Sequence, residues 1–252
     1  MLDITICLPS IRTENLIKFY NSLVESIGQY TFELIIISPI DLSNEIKQLN
    51  HVKVIVDQGC PTRCVQIGAN EGCGKLFNFG TDDGVFVKNA LGESISHYNQ
   101  NCSVKDVVIT KYTEGVGAPA SSPIHESDAY WGVNYHPSLH LDGINRQHKW
   151  GIPLMDLGYF KEAGGLDCVF EHCNYSLHDF CYRLQNNGSI FYLTKNCVMN
   201  CDWNPKGSSE CLNRTNATDY IKFKEIYQNP TSRFKIDFDN WKNSPNPWVR
   251  FQ

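Results

Sequence analysis

Asp82 and Asp83 stand side by side in LFNFGTDDGVF, residues 76–86, where an apolar run reads as a strand that ends on paired like charges. Two carboxylates at a strand end can hold a divalent cation through hard oxygen ligands. Mg²⁺ or Mn²⁺ bound this way keeps some waters and shares its other positions with a diphosphate. The competing reading is a solvated T-D-D-G turn in which an Asp caps the next helix. Three more strand ends carry residues that suit a ligand: Pro9-Ser10, Ser38 and Asp57.

The elements that must position these residues follow from periodicity. ITICL (4–8) is a continuous β-branched run, as a strand covered on both faces should be; ELIII (33–37) reads as a second buried strand, and VKVIV (52–56) and KLFNF (75–79) as a third and a fourth. Between them, Leu16, Phe19, Tyr20, Leu23, Val24 and Ile27 recur at helical spacing up to Gly28. Shorter helices are predicted over 44–49 and 63–70. Strand–helix alternation predicts a parallel α/β sheet with right-handed crossovers. In such sheets ligands sit beyond the carboxyl ends of the strands, so all four polar strand ends should gather at one edge. Further on, helices are expected over 85–99, 153–163 and 176–187, with strands over 106–110 and 190–193. Residues 113–150 read as a long functional loop. The last fifty residues, with Trp203, Trp241 and Trp248, read as a segment wrapped on the surface.

Composition narrows the partners. The chain has 252 residues, 27 acids against 22 Lys and Arg, and no basic block. A nucleic-acid partner held by phosphate contacts is not expected. No apolar run reaches the length of a membrane helix, and the N-terminus lacks the basic region of a signal peptide. With 11 scattered cysteines, this predicts a cytoplasmic protein. Cys60 and Cys64, Cys168 and Cys173, and Cys197 and Cys201 form loose pairs. None has zinc-knuckle spacing, and they read as small buried hydrophobes.

Taken together, the motifs resemble family 2 glycosyltransferases of the GT-A fold. ITICLPSIRTENLIKFYNSL followed by FELIIISP looks like the family's opening, a strand, a Pro-Ser/Thr turn, a helix and a second strand. GTDDGVF is similar to its Asp-x-Asp region. GGLDCVFEHCNYSLHDFCYRLQNNG resembles its GG-x-D…D-x-x-x-R-L block on the acceptor side. The resemblance covers roughly residues 3–202. It implies a single Rossmann-like α/β domain with a mostly parallel mixed sheet flanked by helices. Residues 1 to about 100 would form the nucleotide-sugar half and 101–202 the acceptor half, with 203–252 packed against them. It also implies the reaction: transfer of a sugar from a nucleotide sugar, most often a UDP-sugar, to a hydroxyl of a glycan or other acceptor. Mn²⁺ or Mg²⁺ would bridge the diphosphate, and a carboxylate would take the acceptor proton with inversion.

Carried over residue by residue, Pro9, Ser10 and Arg12 match the first nucleotide-binding turn. Ser38 stands where the family has Asp. Asp57 and Arg63 flank the turn after the third strand, Arg63 being either a phosphate or base contact or a surface helix-end residue. Thr81 and Asp82 fall in the donor site, with Gly80 in place of the first acid of Asp-x-Asp. The metal set would be Asp82, Asp83 and Asp202. Ser176-Leu177 occupies the place of the usual Glu-Asp, so the base falls to Asp179, with Glu171 next. The alternative for Asp179 is an ion pair with Arg183 one turn along. Acceptor contacts are assigned to His136, His140, Trp150 and His178. Two other classes stay open: a degenerate binding module that lacks turnover, and a nucleotidyltransferase. The latter is disfavoured because PSIRTEN carries no glycine to cradle a triphosphate.

Overall fold

The computed structural model describes residues 2–116, 132–135, 147–202, 213, 215–229, 233 and 235–244. The strands are β1 (Ile4–Pro9), β2 (Phe32–Ser38), β3 (Val52–Val56), β4 (Leu76–Phe79), β5 (Gly84–Phe86), β6 (Val107–Thr110), β7 (Tyr112–Val116), β8 (Gly132–Tyr135), β9 (Gln147–Trp150), β10 (Ile152–Asp156), β11 (Phe191–Leu193) and β12 (Met199–Asp202). The helices are α1 (Leu16–Ile27), α2 (Asn44–Lys47), α3 (Pro61–Glu71), α4 (Ala90–Asn101), α5 (Leu157–Glu162), α6 (Cys173–Asn186) and α7 (Tyr220–Ile226). A π turn, Thr215–Asp219, leads into α7, and a 3-10 turn covers Phe238–Asn243.

Seven strands form the central sheet in the order β11-β6-β10-β4-β1-β2-β3. β1 is parallel to both β2 and β4, and β2 is parallel to β3. β10 runs antiparallel to β4 and β6, and β11 is parallel to β6. The result is the mostly parallel mixed sheet that the family resemblance implies; the alternation accounts for its parallel strands β1 to β4. One face buries Leu16, Phe19, Leu23 and Ile27 of α1 with Leu91 and Ile95 of α4. The other buries Val65 and Ile67 of α3 with Phe160 of α5 and Phe180 and Leu184 of α6. Gly28, at φ +67°, ends α1 in a conformation that glycine adopts without strain. Pro61 opens α3 at a position where its missing N–H costs nothing. Gly68 lets α3 lie against β1, since a Cβ there would fall 2.2 Å from Cys7 Sγ.

Three expectations change. The helix expected over 153–163 begins at Leu157. Residues 152–156 form β10 instead, because this apolar stretch fills the gap between β4 and β6 and is buried on both faces. The helix expected from Val85 begins at Ala90. Gly84–Phe86 pairs with β12, and Asn89, at φ +63°, separates strand from helix. Part of the expected loop over 113–150 is strand: β7 pairs with β12, and β8 with β9.

Candidate donor and acceptor site

The parallel register brings the predicted strand ends to one rim. Ser10 N donates to the Ile37 carbonyl at 2.9 Å, and Asp57 N to the Ser38 carbonyl at 3.0 Å. Gly80 N donates to the Cys7 carbonyl at 2.9 Å, which sets the T-D-D-G turn beside the Pro9-Ser10 turn. Pairing of β5 with β12 then brings in Asp202, whose N–H donates to the Asp83 carbonyl at 2.9 Å. Residues 119 positions apart thus share one backbone contact.

Asp82 is the centre of this rim, and it is 3% exposed. Its Oδ2 accepts from Ser10 Oγ (3.1 Å), Ile11 N (2.8 Å) and Arg12 N (2.8 Å). Its Oδ1 pairs with the Arg12 guanidinium, and its carbonyl accepts from Asn15 Nδ2 at 2.8 Å. The carboxylate therefore clamps the first turn onto the fourth strand. Asp82→Ala should remove the carboxylate that Arg12 pairs with and leave three donors without their acceptor at once. A loss of about 3 kcal/mol in denaturant unfolding is expected. A change within experimental error would show that the clamp contributes nothing.

The expected metal set does not fit this arrangement. Asp82 has no oxygen left without a protein partner. Residue 80 has no room for an acid, because a Cβ there would lie 2.7 Å from the ring of Phe19, itself fully buried against Phe86. Asp83 Oδ1 accepts from Thr81 Oγ1, which also gives Thr81 a partner inside its own turn. Burial raises the Asp83 pKa, against that hydrogen bond and the Arg12 charge. Among the described residues no three His, Cys, Asp or Glu side chains converge on a metal position.

The remaining assignments divide. Asp57 and Arg63 meet as a bidentate pair, with Nε on Oδ1 at 2.9 Å and Nη2 on Oδ2 at 3.0 Å. Arg63 also donates to the Trp241 carbonyl and to Ser244 Oγ, and lies over the Trp241 ring. Here it pins the C-terminal segment to α3 rather than pointing at a phosphate. Ser38 is buried, and its Oγ accepts from Ile40 N. His178 is 1% exposed and covered by the Trp150 ring, with centroids 4.4 Å apart, so it is a core residue and not an acceptor contact. Trp150, at the end of β9, is half-buried. His136 and His140 lie outside the described residues.

Asp179 is corrected most clearly. It is 0% exposed. Its Oδ2 accepts from Arg183 Nε at 2.9 Å, and its Oδ1 from Arg233 Nε at 2.9 Å and Tyr227 Oη at 3.0 Å. Burial alone would raise its pKa; the Arg183 and Arg233 guanidiniums outweigh that and hold it below the usual carboxylate range. A carboxylate with no access and no idle oxygen cannot take a substrate proton. The ion pair with Arg183 is the correct reading, and Arg233, 54 residues on, completes it.

Glu171 sits differently. It precedes α6, where its N–H donates to both oxygens of Asp219 (3.0 and 3.1 Å) and His172 N donates to the same carboxylate at 2.8 Å. Its carbonyl accepts from Thr62 N at the start of α3, and Lys222 Nζ stands 3.8 Å from its carboxylate. Lys222 also lines a cleft of about 440 Å³ with Asp167, Cys168, Val169, Asn240, Asn243 and Ser244. Two functional candidates escaped the sequence reading. Asp219 holds the Glu171 backbone but lies in a stretch without a motif. Gln58 follows Asp57 at the rim, donates from Nε2 to the Pro39 carbonyl at 2.6 Å, and leaves Oε1 buried without a partner.

No family model matches the chain, and no curated protein does. Solved structures do. The crystal structure of Staphylococcus aureus TarS residues 1–349 with UDP superposes at TM-score 0.57 and 11% identity, over 90% of this chain and 71% of that one. A second S. aureus TarS structure gives TM-score 0.55 at 13% identity, over 84% of this chain and 38% of that one. Among the described residues no helix is long and apolar enough to cross a membrane. The chain shares the fold of these structures, the GT-A arrangement of a mostly parallel mixed sheet flanked by helices.

Proposed function

We propose that this chain transfers a sugar from a UDP-sugar to a hydroxyl of a glycan or other acceptor. The fold shared with UDP-bound TarS carries the reading. It is supported by the rim that gathers the Pro9–Arg12 turn, Asp57, Asp82, Asp83 and Asp202. The acceptor oxygen bonds to the anomeric carbon as the bond to the diphosphate breaks, and UDP leaves with the electron pair. Such a single displacement inverts the anomeric centre. Glu171 accepts the acceptor proton, as a general base placed at the junction of α3 and α6. The cleft beside Lys222 takes the acceptor, its amide and hydroxyl lining being suited to sugar hydroxyls.

Thermal unfolding with nucleotides tests the donor half. UDP at a hundred times its dissociation constant should add roughly 2.7 kcal/mol to stability. CDP should add less, because Gln58 Oε1 can accept from the N3–H of uracil but not from the bare N3 of cytosine. Absence of any nucleotide effect would reject the donor reading. A second reading has its own support: Leu177, a buried apolar residue, fills the family's base position. On that reading the chain binds UDP-sugars without turning them over, and UDP release from a panel of UDP-sugars separates the two.

A further inference from the structure

We propose that this chain binds its nucleotide without a divalent cation, the positive charge on Asp82 being supplied by its own Arg12. The inference rests on the UDP-sugar reading above. Three observations converge on it. The carboxylate that sequence offers as principal metal ligand already receives four hydrogen bonds or ion pairs, all from residues 10–12. Two of these donors are backbone N–H groups, fixed by the turn that follows β1, so they cannot swing aside as a surface side chain would. The position of the first acid in Asp-x-Asp is a glycine packed against the buried Phe19 ring, so a second ligand is excluded by volume. What remains is Asp83, bonded to Thr81, and Asp202, joined to Asp83 through its backbone. A metal ion would have to displace a guanidinium that is held on the same carboxylate by the chain that forms the site. Arg12 thus fills the electrostatic role of a cation at this position: it neutralises Asp82 where an anionic diphosphate would otherwise meet a bare carboxylate.

Calorimetric titration of UDP into the full chain, in EDTA and then in Mn²⁺, tests this directly, with the electron paramagnetic resonance signal of free Mn²⁺ read in parallel. The expected result is the same UDP affinity in both buffers and no Mn²⁺ taken up by the protein, with or without UDP. In Arg12→Ala, Asp82 loses its counterion, and Mn²⁺ uptake should appear in the variant alone. If that variant does not fold, the two wild-type titrations still decide. UDP binding that is lost in EDTA and restored by Mn²⁺ would overturn metal independence while leaving the donor assignment intact. Mn²⁺ captured together with UDP, through Asp83 and Asp202, would overturn it equally. Failure of UDP to bind in either buffer would overturn both the donor assignment and this inference.

Discussion

Glu171→Gln is expected to lower turnover by about 10²–10⁴-fold while leaving UDP affinity unchanged. Glutamine keeps the length and hydrogen-bonding shape of the side chain but cannot take a proton. The backbone of Glu171 is held by Asp219 from one side and by Thr62 from the other, so the substitution should not move the loop. Loss of turnover at constant UDP affinity therefore reports proton transfer, not donor binding. Lys222 Nζ lies 3.8 Å from the carboxylate, at the edge of the cleft assigned to the acceptor. Initial rates of UDP release, compared with UDP calorimetry on the same preparation, decide the matter. Undiminished turnover removes Glu171 from the reaction.

Asp179→Ala should act on stability instead. It leaves Arg183 and Arg233 facing each other in the interior without their shared counterion. Removing one partner of a buried ion pair typically costs 3–5 kcal/mol, so a loss of about 4 kcal/mol is expected. For a domain of this size that lowers Tm by roughly 8–16 °C. The loss spreads because Arg183 also donates to the carbonyls of Ala163 and Gly165, at 2.5 Å each, and Arg233 to Asp167 Oδ2 at 2.5 Å. Acid unfolding gives a second reading. The Asp179 pKa is lowered in the folded chain, so its contribution is fully present above the unfolded value of about 3.9. It is lost as pH falls below that toward the folded value. Asp179→Asn should flatten this acid limb. Turnover per folded molecule should stay close to wild type in both variants. A collapse of turnover with stability unchanged would restore Asp179 as a catalytic group.

The fate of particular residues shows how far sequence reaches. Apolar continuity in ITICL and helical spacing in 16–27 are local properties set by backbone sterics and by burial. They fixed the strands, the crossovers and the rim that carries Asp57, Asp82 and Ser10. β10 was missed because a short apolar run satisfies helix and strand templates equally; the empty place between β4 and β6 chose strand. Asp179 lies on a regular D-x-x-x-R spacing that places it beside Arg183 in any helix. Whether that face meets substrate or protein depended on Arg233 and Tyr227, which spacing cannot locate.

Sequence by itself determined the layered α/β architecture and the order of its rim, since both follow from periodicity and chain direction. Tertiary structure alone decided which carboxylates are available. Asp82 and Asp179 are satisfied by donors, from 48 to 72 residues away along the chain in all but one case, and Glu171 is placed by Asp219 at a separation of 48. The physical reason is that a carboxylate's role is set by what surrounds its two oxygens. Those surroundings are assembled by long-range packing, which no local pattern records.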